Sequence, residues 1–183
     1  MAERLRDVSV PWCIAAGWAL DLFRGAETRV HEDTEIAVPW RGFPAIREAL
    51  AGFEFDVVGF DESERYWPVD SPAFDVTHQT WVREPGTSVY RLDVFREPHD
   101  GEVWICRRDE DIRLKYDEII HRTADGIPFL APEIVLLFKA KAAREKDDQD
   151  LEGTLPLLGT ARRRWLREAL GSIYPGHRWV DLL

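Results

Sequence analysis

The sequence predicts an α+β domain, a mixed β-sheet with flanking helices followed by a C-terminal helical part. Three observations carry this. Short runs of strand-forming residues, broken by Gly and Pro, recur between residues 13 and 130. Helical stretches separate the earlier of those runs. Beyond Pro132 the pattern turns helical and stays so. A length of 183 residues fits one domain or a core with a small appendage. The division expected is a core over 1–131 and a helical part over 132–183, or the two as one compact unit.

The elements follow in order. A short helical start near Leu5 leads into an apolar strand over 13–16, which Gly17 breaks. Residues 18–23 read as a helix ending near Gly25. A second strand covers 35–38, stopped by Pro39 and Gly42, and Pro44 opens a helix with Ile46, Ala49 and Leu50 on one face. Residues 53–60 alternate as a strand. Further strands are expected over 74–77, 79–82, 89–95 and 103–106, with Pro85-Gly86 as a turn. Strands over 119–123 and 127–130 flank Asp125-Gly126, a hairpin signal. Pro132 and Glu133 suit a helix first turn, and Lys139, Lys141, Arg144 and Lys146 follow. Helices over 149–158 and 161–170 complete the chain.

Composition narrows the function. Hydrophobic residues make up 45% and charged residues 32%, enough for a core beneath a polar surface. No run approaches the roughly 18 apolar residues of a membrane span, and the start MAERLRDVSV lacks a signal peptide's apolar stretch. Cys13 and Cys106 each sit in an apolar run, which favours buried thiols over a disulfide. The protein is therefore read as cytoplasmic, without a membrane partner. A net charge of −10 argues against nucleic acid as a partner and leaves room for a cationic small molecule in an acidic cleft.

The chemistry concentrates in IAAGWALDLFRG over 14–25 and RVHEDTEIAV over 29–38. Asp33 and Glu35, two apart at the mouth of a strand, point to one face. Two carboxylates there repel unless a cation lies between them, and Mg²⁺ (or Mn²⁺) takes one or two carboxylates plus phosphate oxygens. In RLDVF, Asp93 faces away from Leu92 and Val94, so it is expected as third metal ligand and general base. Gly17 lets backbone approach a phosphate ahead of a helix N-terminus. Trp18 beside it is grouped with the nucleotide-binding residues. Lys139 and Lys141 bring positive charge toward a triphosphate. Each signal has a plainer reading: HEDTE as a solvated loop, Asp93 paired with Arg91 or Arg96, Gly17 as a simple turn, and the lysines as a solvated face. His31 and His78 read as surface or core histidines, and most tryptophans as core.

Order and placement favour the joint reading, and at this point the sequence resembles the nucleotidyltransferase superfamily, with its glycine turn, helix, Asp-x-Asp/Glu and distant Asp. More narrowly it is similar to the group around the aminoglycoside 2″-adenylyltransferases, antibiotic-resistance enzymes, and their uncharacterised bacterial relatives. The matching runs are AAGWALDLFRGAETRVHEDTEIAV, HQTWV, YRLDVFREPHDGEVW, DGIPFLAPEIVLLFKAK and REKDDQDLEGTLPLL, from about residue 12 to 158. The resemblance implies a nucleotidyltransferase-like mixed sheet with Gly17 at the triphosphate, Asp33 and Glu35 on Mg²⁺, Asp93 as ligand and base, and Lys139 near the nucleotide. Ala16 stands where the first glycine is usual, Thr34 where an apolar residue is usual, and Glu35 where the second aspartate is usual.

The expected activity is transfer of a nucleoside monophosphate from an NTP, ATP foremost, to a hydroxyl of a small molecule, with an aminoglycoside-like acceptor as one candidate. A non-catalytic domain binding a nucleotide or small ligand is the alternative. A transferase acting on a protein hydroxyl or tRNA end is a third, disfavoured by the lack of a basic surface beyond 139–144 and 162–164.

Overall fold

In a computed structural model, which describes residues 3–58 and 66–183, the strand-forming runs collect into two sheets. In chain order the elements are β1 (Cys13–Ile14), α1 (Ala16–Arg24), β2 (Thr34–Pro39), α2 (Phe43–Ala49), β3 (Glu54–Val58), β4 (Tyr66–Pro68) and α3 (Ala73–Val76). There follow β5 (Gln79–Arg83), β6 (Tyr90–Glu97), β7 (His99–Asp100), β8 (Val103–Ile105), β9 (Arg113–Lys115), α4 (Tyr116–Ile119), β10 (Ile120–Arg122) and β11 (Pro128–Leu130). Three helices close the chain: α5 (Pro132–Lys139), α6 (Glu145–Thr154) and α7 (Thr160–Ile173).

The larger sheet has the order β10-β11-β1-β2-β6-β5-β3-β4, and β7-β8-β9 form a small second sheet. The pairing is mixed: β1 with β11 and β2 with β6 run parallel, while the other pairs in the sheet are antiparallel. The α+β architecture is the one the sequence predicts.

Side-chain alternation then decides what each face does. On β2 and β6, Ile36, Val38, Leu92 and Val94 point to one face and are buried. α2 and α3 cover that face. Phe43 meets Phe55 edge-on at 6.0 Å and Phe74 at 5.3 Å. Arg96 points the same way and is fully buried, with no salt bridge to a carboxylate among the described residues. Its guanidinium lies 4.0 Å from the Phe74 ring centre and 4.4 Å from that of Trp40, and it donates to Phe74 O and Thr77 Oγ1. Burial brings its pKa down to about 10. Aromatic faces and carbonyls here replace the usual counter-ion.

That contact explains the clearest departure from expectation. Residues 74–77 were read as a strand, yet 73–76 form α3. Ser71-Pro72 starts a turn, Asp75 suits a helix first turn, and helical backbone turns the Phe74 carbonyl to the Arg96 donor at 2.6 Å. Three other boundaries moved. Residues 3–7 form turns, although Leu5 is buried as a core residue. The strand expected from 119 begins as the helical turn α4, where Glu118 accepts the Lys115 N–H. α6 starts at Glu145, because Asp147 accepts the Arg144 N–H at 3.0 Å and so opens the helix earlier. Gly59 and Phe60, expected in the third strand, lie outside the described residues.

The C-terminal helices sit on the sheet core. α5 packs against α1, α6 and α7, and its Ile134, Leu136 and Leu137 are fully buried. Cys13 and Cys106 are buried and free. Among the described residues no helix is long and apolar enough to cross a membrane.

Candidate active site

The opposite face of β2 and β6 carries Glu35, Ala37, Asp93 and Phe95, of which Glu35, Ala37 and Phe95 line a cleft of about 780 Å³. Parallel register sets Glu35 directly beside Asp93 and Ala37 beside Phe95. On the next strand Trp81 is opposite Asp93, and Gln79 opposite Phe95. Asp33, just before β2, is exposed at the cleft rim, whereas Asp93 is only 5% exposed. Gln79 lines the cleft and donates its side-chain amide to Asp93 Oδ2. Asp93 Oδ1 is buried.

Crowded acids with little water bind protons tightly. Burial, then the nearby Asp33 charge, raises Glu35 to about 7. Burial raises Asp93 to about 8, with Glu35 and Asp33 adding to the shift and the Gln79 amide opposing it. The Trp81 indole, opposite Asp93, also opposes the shift. A buried carboxylate beside two further acids fits a hard divalent cation. Among the described residues, however, no three His, Cys, Asp or Glu side chains converge as a ready-made metal cage.

The turn ahead of α1 is built differently from the sequence expectation of an open phosphate cradle. Ala16 has φ 48°, the left-handed region that glycine enters freely and alanine does not. Gly17 is buried, and a Cβ there would meet the Arg29 guanidinium and stand 2.5 Å from His31 Cε1. Glycine is therefore needed to seat the loop that follows α1. Trp18 packs its ring against His31 at 4.5 Å and does not line the cleft.

Asp21 on α1 fixes that loop. Its carboxylate accepts Thr28 Oγ1 at 2.6 Å, Thr28 N at 3.2 Å and pairs with His31 Nε2 at 2.7 Å. These bonds overcome burial and hold the Asp21 pKa below its usual value. Arg29 and His31, which nothing in the spacing marks, thus join Ala16, Asp33 and Glu35 in the cleft wall. Only the unusual density of charged residues in 29–35 signals them.

Lys139 also reaches the cleft, already gripped by Asp147 Oδ1 and Asp150 Oδ2 at 3.0 Å each. Asp150 Oδ2 lies 3.5 Å from Arg29, and Arg24 donates to the Asp150 carbonyl at 2.6 Å. Asp147 further accepts Arg144 Nε at 2.9 Å, and these donors lower its pKa to about 2. The structure thus brings Asp33, Glu35 and Lys139 into one cleft wall, with Asp93 buried beside Glu35 outside the lining and Gly17 behind it.

Comparison with known proteins agrees with this fold. A family model described as aminoglycoside-2″-adenylyltransferase matches residues 1–80, a span that holds Asp33 and Glu35 and ends before Asp93. None of the curated protein sequences compared with the chain matches it. Among solved structures, the solution structure of the antibiotic-resistance factor ANT(2″)-Ia is similar, with 15% identity, 94% of this chain and 88% of that chain covered, and a TM-score of 0.60. The same factor in complex with adenylyl-2″-tobramycin matches at 14% identity over 94% and 93% of the two chains, TM-score 0.58. The lincosamide antibiotic adenylyltransferase LnuA, lincomycin-bound, matches at 16% identity over 85% and 92%, TM-score 0.57. The chain has the nucleotidyltransferase fold and resembles the group around the aminoglycoside 2″-adenylyltransferases.

Proposed function

We propose that the protein transfers a nucleoside monophosphate from an NTP, ATP foremost, to a hydroxyl of a small molecule. The observation that carries this reading is the ladder register that sets Glu35 beside the buried Asp93. Asp33, Glu35 and Asp93 would hold a Mg²⁺ or Mn²⁺ ion, with phosphate oxygens completing its shell. When bound, such an ion supplies charge neutralisation at the phosphates.

The chain's own residues supply the rest. The acceptor oxygen attacks the α-phosphorus, the bond from that phosphorus to the β-bridging oxygen breaks, and pyrophosphate leaves. Asp93 takes the hydroxyl proton, and its raised proton affinity suits a general base near neutral pH. Arg29 and Lys139 lie where they would face phosphate oxygens, each already oriented by Asp150. Gly17 and Trp18 act through the loop they support: the glycine makes room for Arg29 and His31, and the indole packs on His31.

Incubation with each labelled NTP, Mg²⁺ or Mn²⁺ and a panel of hydroxyl acceptors, read by mass spectrometry for an added monophosphate, tests the activity. Pyrophosphate release that continues unchanged in Asp93→Asn would refute the mechanism. A second reading, a domain that binds nucleotide without turnover, draws support from the left-handed Ala16 and from the covered Gly17. Magnesium-dependent NTP binding with no product across the panel would favour it.

A further inference from the structure

The cleft has a second end. Asp93, Phe95 and Glu97 succeed one another along one face of β6, so Phe95 and Glu97 lie roughly 7 and 13 Å beyond the acid. Glu97 is neutralised there: Arg107 Nε lies 3.2 Å from one carboxylate oxygen, and Trp104 Nε1 donates to the other at 3.3 Å. At this end Arg108 and Lys141 also line the cleft.

Arg108 donates through Nη1 to the Leu137 carbonyl and the Tyr174 hydroxyl, which are neutral oxygens. Its guanidinium sits 4.7 Å from the Phe138 ring centre, and that of Arg107 sits 4.5 Å from the same ring. A planar cation held over an aromatic ring keeps its unused donors aimed. Lys141 is exposed, on the turn after α5. His78, half-buried one residue before Gln79, senses the result. After burial, the charges of Arg107, Arg96, Arg108 and Lys141 are what depress its pKa, to about 4.

The two ends of the cleft thus differ: Arg29, Lys139 and Lys146 face the acids at the Glu35 end, whereas at the Glu97 end Arg108 and Lys141 exceed the Arg107–Glu97 pair. An acceptor such as an aminoglycoside, carrying several ammonium groups, would meet repulsion at the second end. From this we infer that Arg108 and Lys141, beside the Arg107–Glu97 pair, form an anion subsite, and that the acceptor bears a phosphate or carboxylate roughly 7–13 Å from its reacting hydroxyl. The acceptor assignment rests on the proposed transfer reaction; the subsite does not.

Binding tests it directly. Glucose 6-phosphate, glucose and tobramycin are titrated calorimetrically into the full chain, with and without Mg²⁺ and a non-hydrolysable ATP analogue. The expected result is that glucose 6-phosphate binds, glucose binds at least tenfold more weakly, and tobramycin is weaker than the phosphate. Lys141→Glu, at an exposed site that folding tolerates, should weaken glucose 6-phosphate about tenfold, Lys141→Arg should restore it, and added salt should weaken it.

Tighter binding of tobramycin, indifference to Lys141→Glu, or displacement of glucose 6-phosphate by the ATP analogue would each overturn the inference. Displacement would show that the cations serve the nucleotide's own phosphates. Monophosphate transfer is measured on the same samples. Anion binding without transfer to any acceptor would refute the enzymatic reading while the subsite stands, and transfer to tobramycin but not to glucose 6-phosphate would do the reverse.

Discussion

Asp93 is held where a carboxylate is uncomfortable, and that has a measurable cost. It is buried beside Glu35. Asp93→Asn should reduce transfer by at least 10²-fold. In chelator the same variant should melt above the wild type, by on the order of 1 kcal/mol, because a crowded acid has become neutral. A lower melting temperature in chelator would show that the carboxylate is not strained. Ala16→Gly tests strain of another kind. With φ at 48°, glycine should stabilise the fold by up to about 1 kcal/mol, against its usual destabilising sign, and thermal melting decides it. Asp147 sets an acid limit. Its folded pKa of about 2 lies below the unfolded value, so its contribution is complete above about pH 4 and is lost as pH falls toward 2. Stability of Asp147→Asn, measured by denaturant titration across that window, should therefore vary less with pH than that of the wild type.

Among the elements, the loop between α1 and β2 does most to shape the cleft, and α1 itself anchors it. Asp21→Ala removes the acceptor for Thr28, Arg24 and His31 at once. A loss of roughly 2–4 kcal/mol is expected, with faster hydrogen exchange over residues 28–31 than over β2. Unchanged exchange there would mean the loop is held by something else. β2 and β6 were legible because their apolar residues alternate with acids that have no reason to be in a strand other than a site. α3 was not, because residues 74–77 carry strand-forming types and only the buried Arg96, far along the chain, calls for the helical carbonyl at Phe74. Arg29 and His31 escaped for the same reason: their places depend on Gly17 and Asp21 across a turn, and a lone histidine carries no spacing signal.

Over the whole molecule, the helical part is fastened to the sheet by apolar burial and by charge together. Ile134, Leu136 and Leu137 are fully buried, and Asp150 meets Arg24, Arg29 and Lys139 at once. A chain cut after residue 131 is expected to lose cooperative unfolding, read by circular dichroism and proteolysis, because α1 would expose the face it packs on α5. A sharp transition in that fragment would establish 1–131 as an independent domain. Net charge was the least informative whole-chain quantity. The value of −10 leaves room for a cationic ligand, yet the cleft carries Arg107, Arg108 and Lys141 at one end. A sum over the surface does not report the sign at one place within it.

The order of strands in the large sheet also sets when this site can exist. β1 pairs with β11 across Ile14 and Phe129, and β2 pairs in parallel with β6 across Glu35 and Asp93. Neither partner is near in sequence, and such distant closures are slow. During synthesis the early segment bearing Asp33 and Glu35 emerges well before Asp93, so β2 can pair with β1 at once but must wait for β6, as β1 must wait for β11. The acids are therefore brought together only after β6 has been made. Until then the nascent protein carries two uncovered apolar strand edges and no cleft.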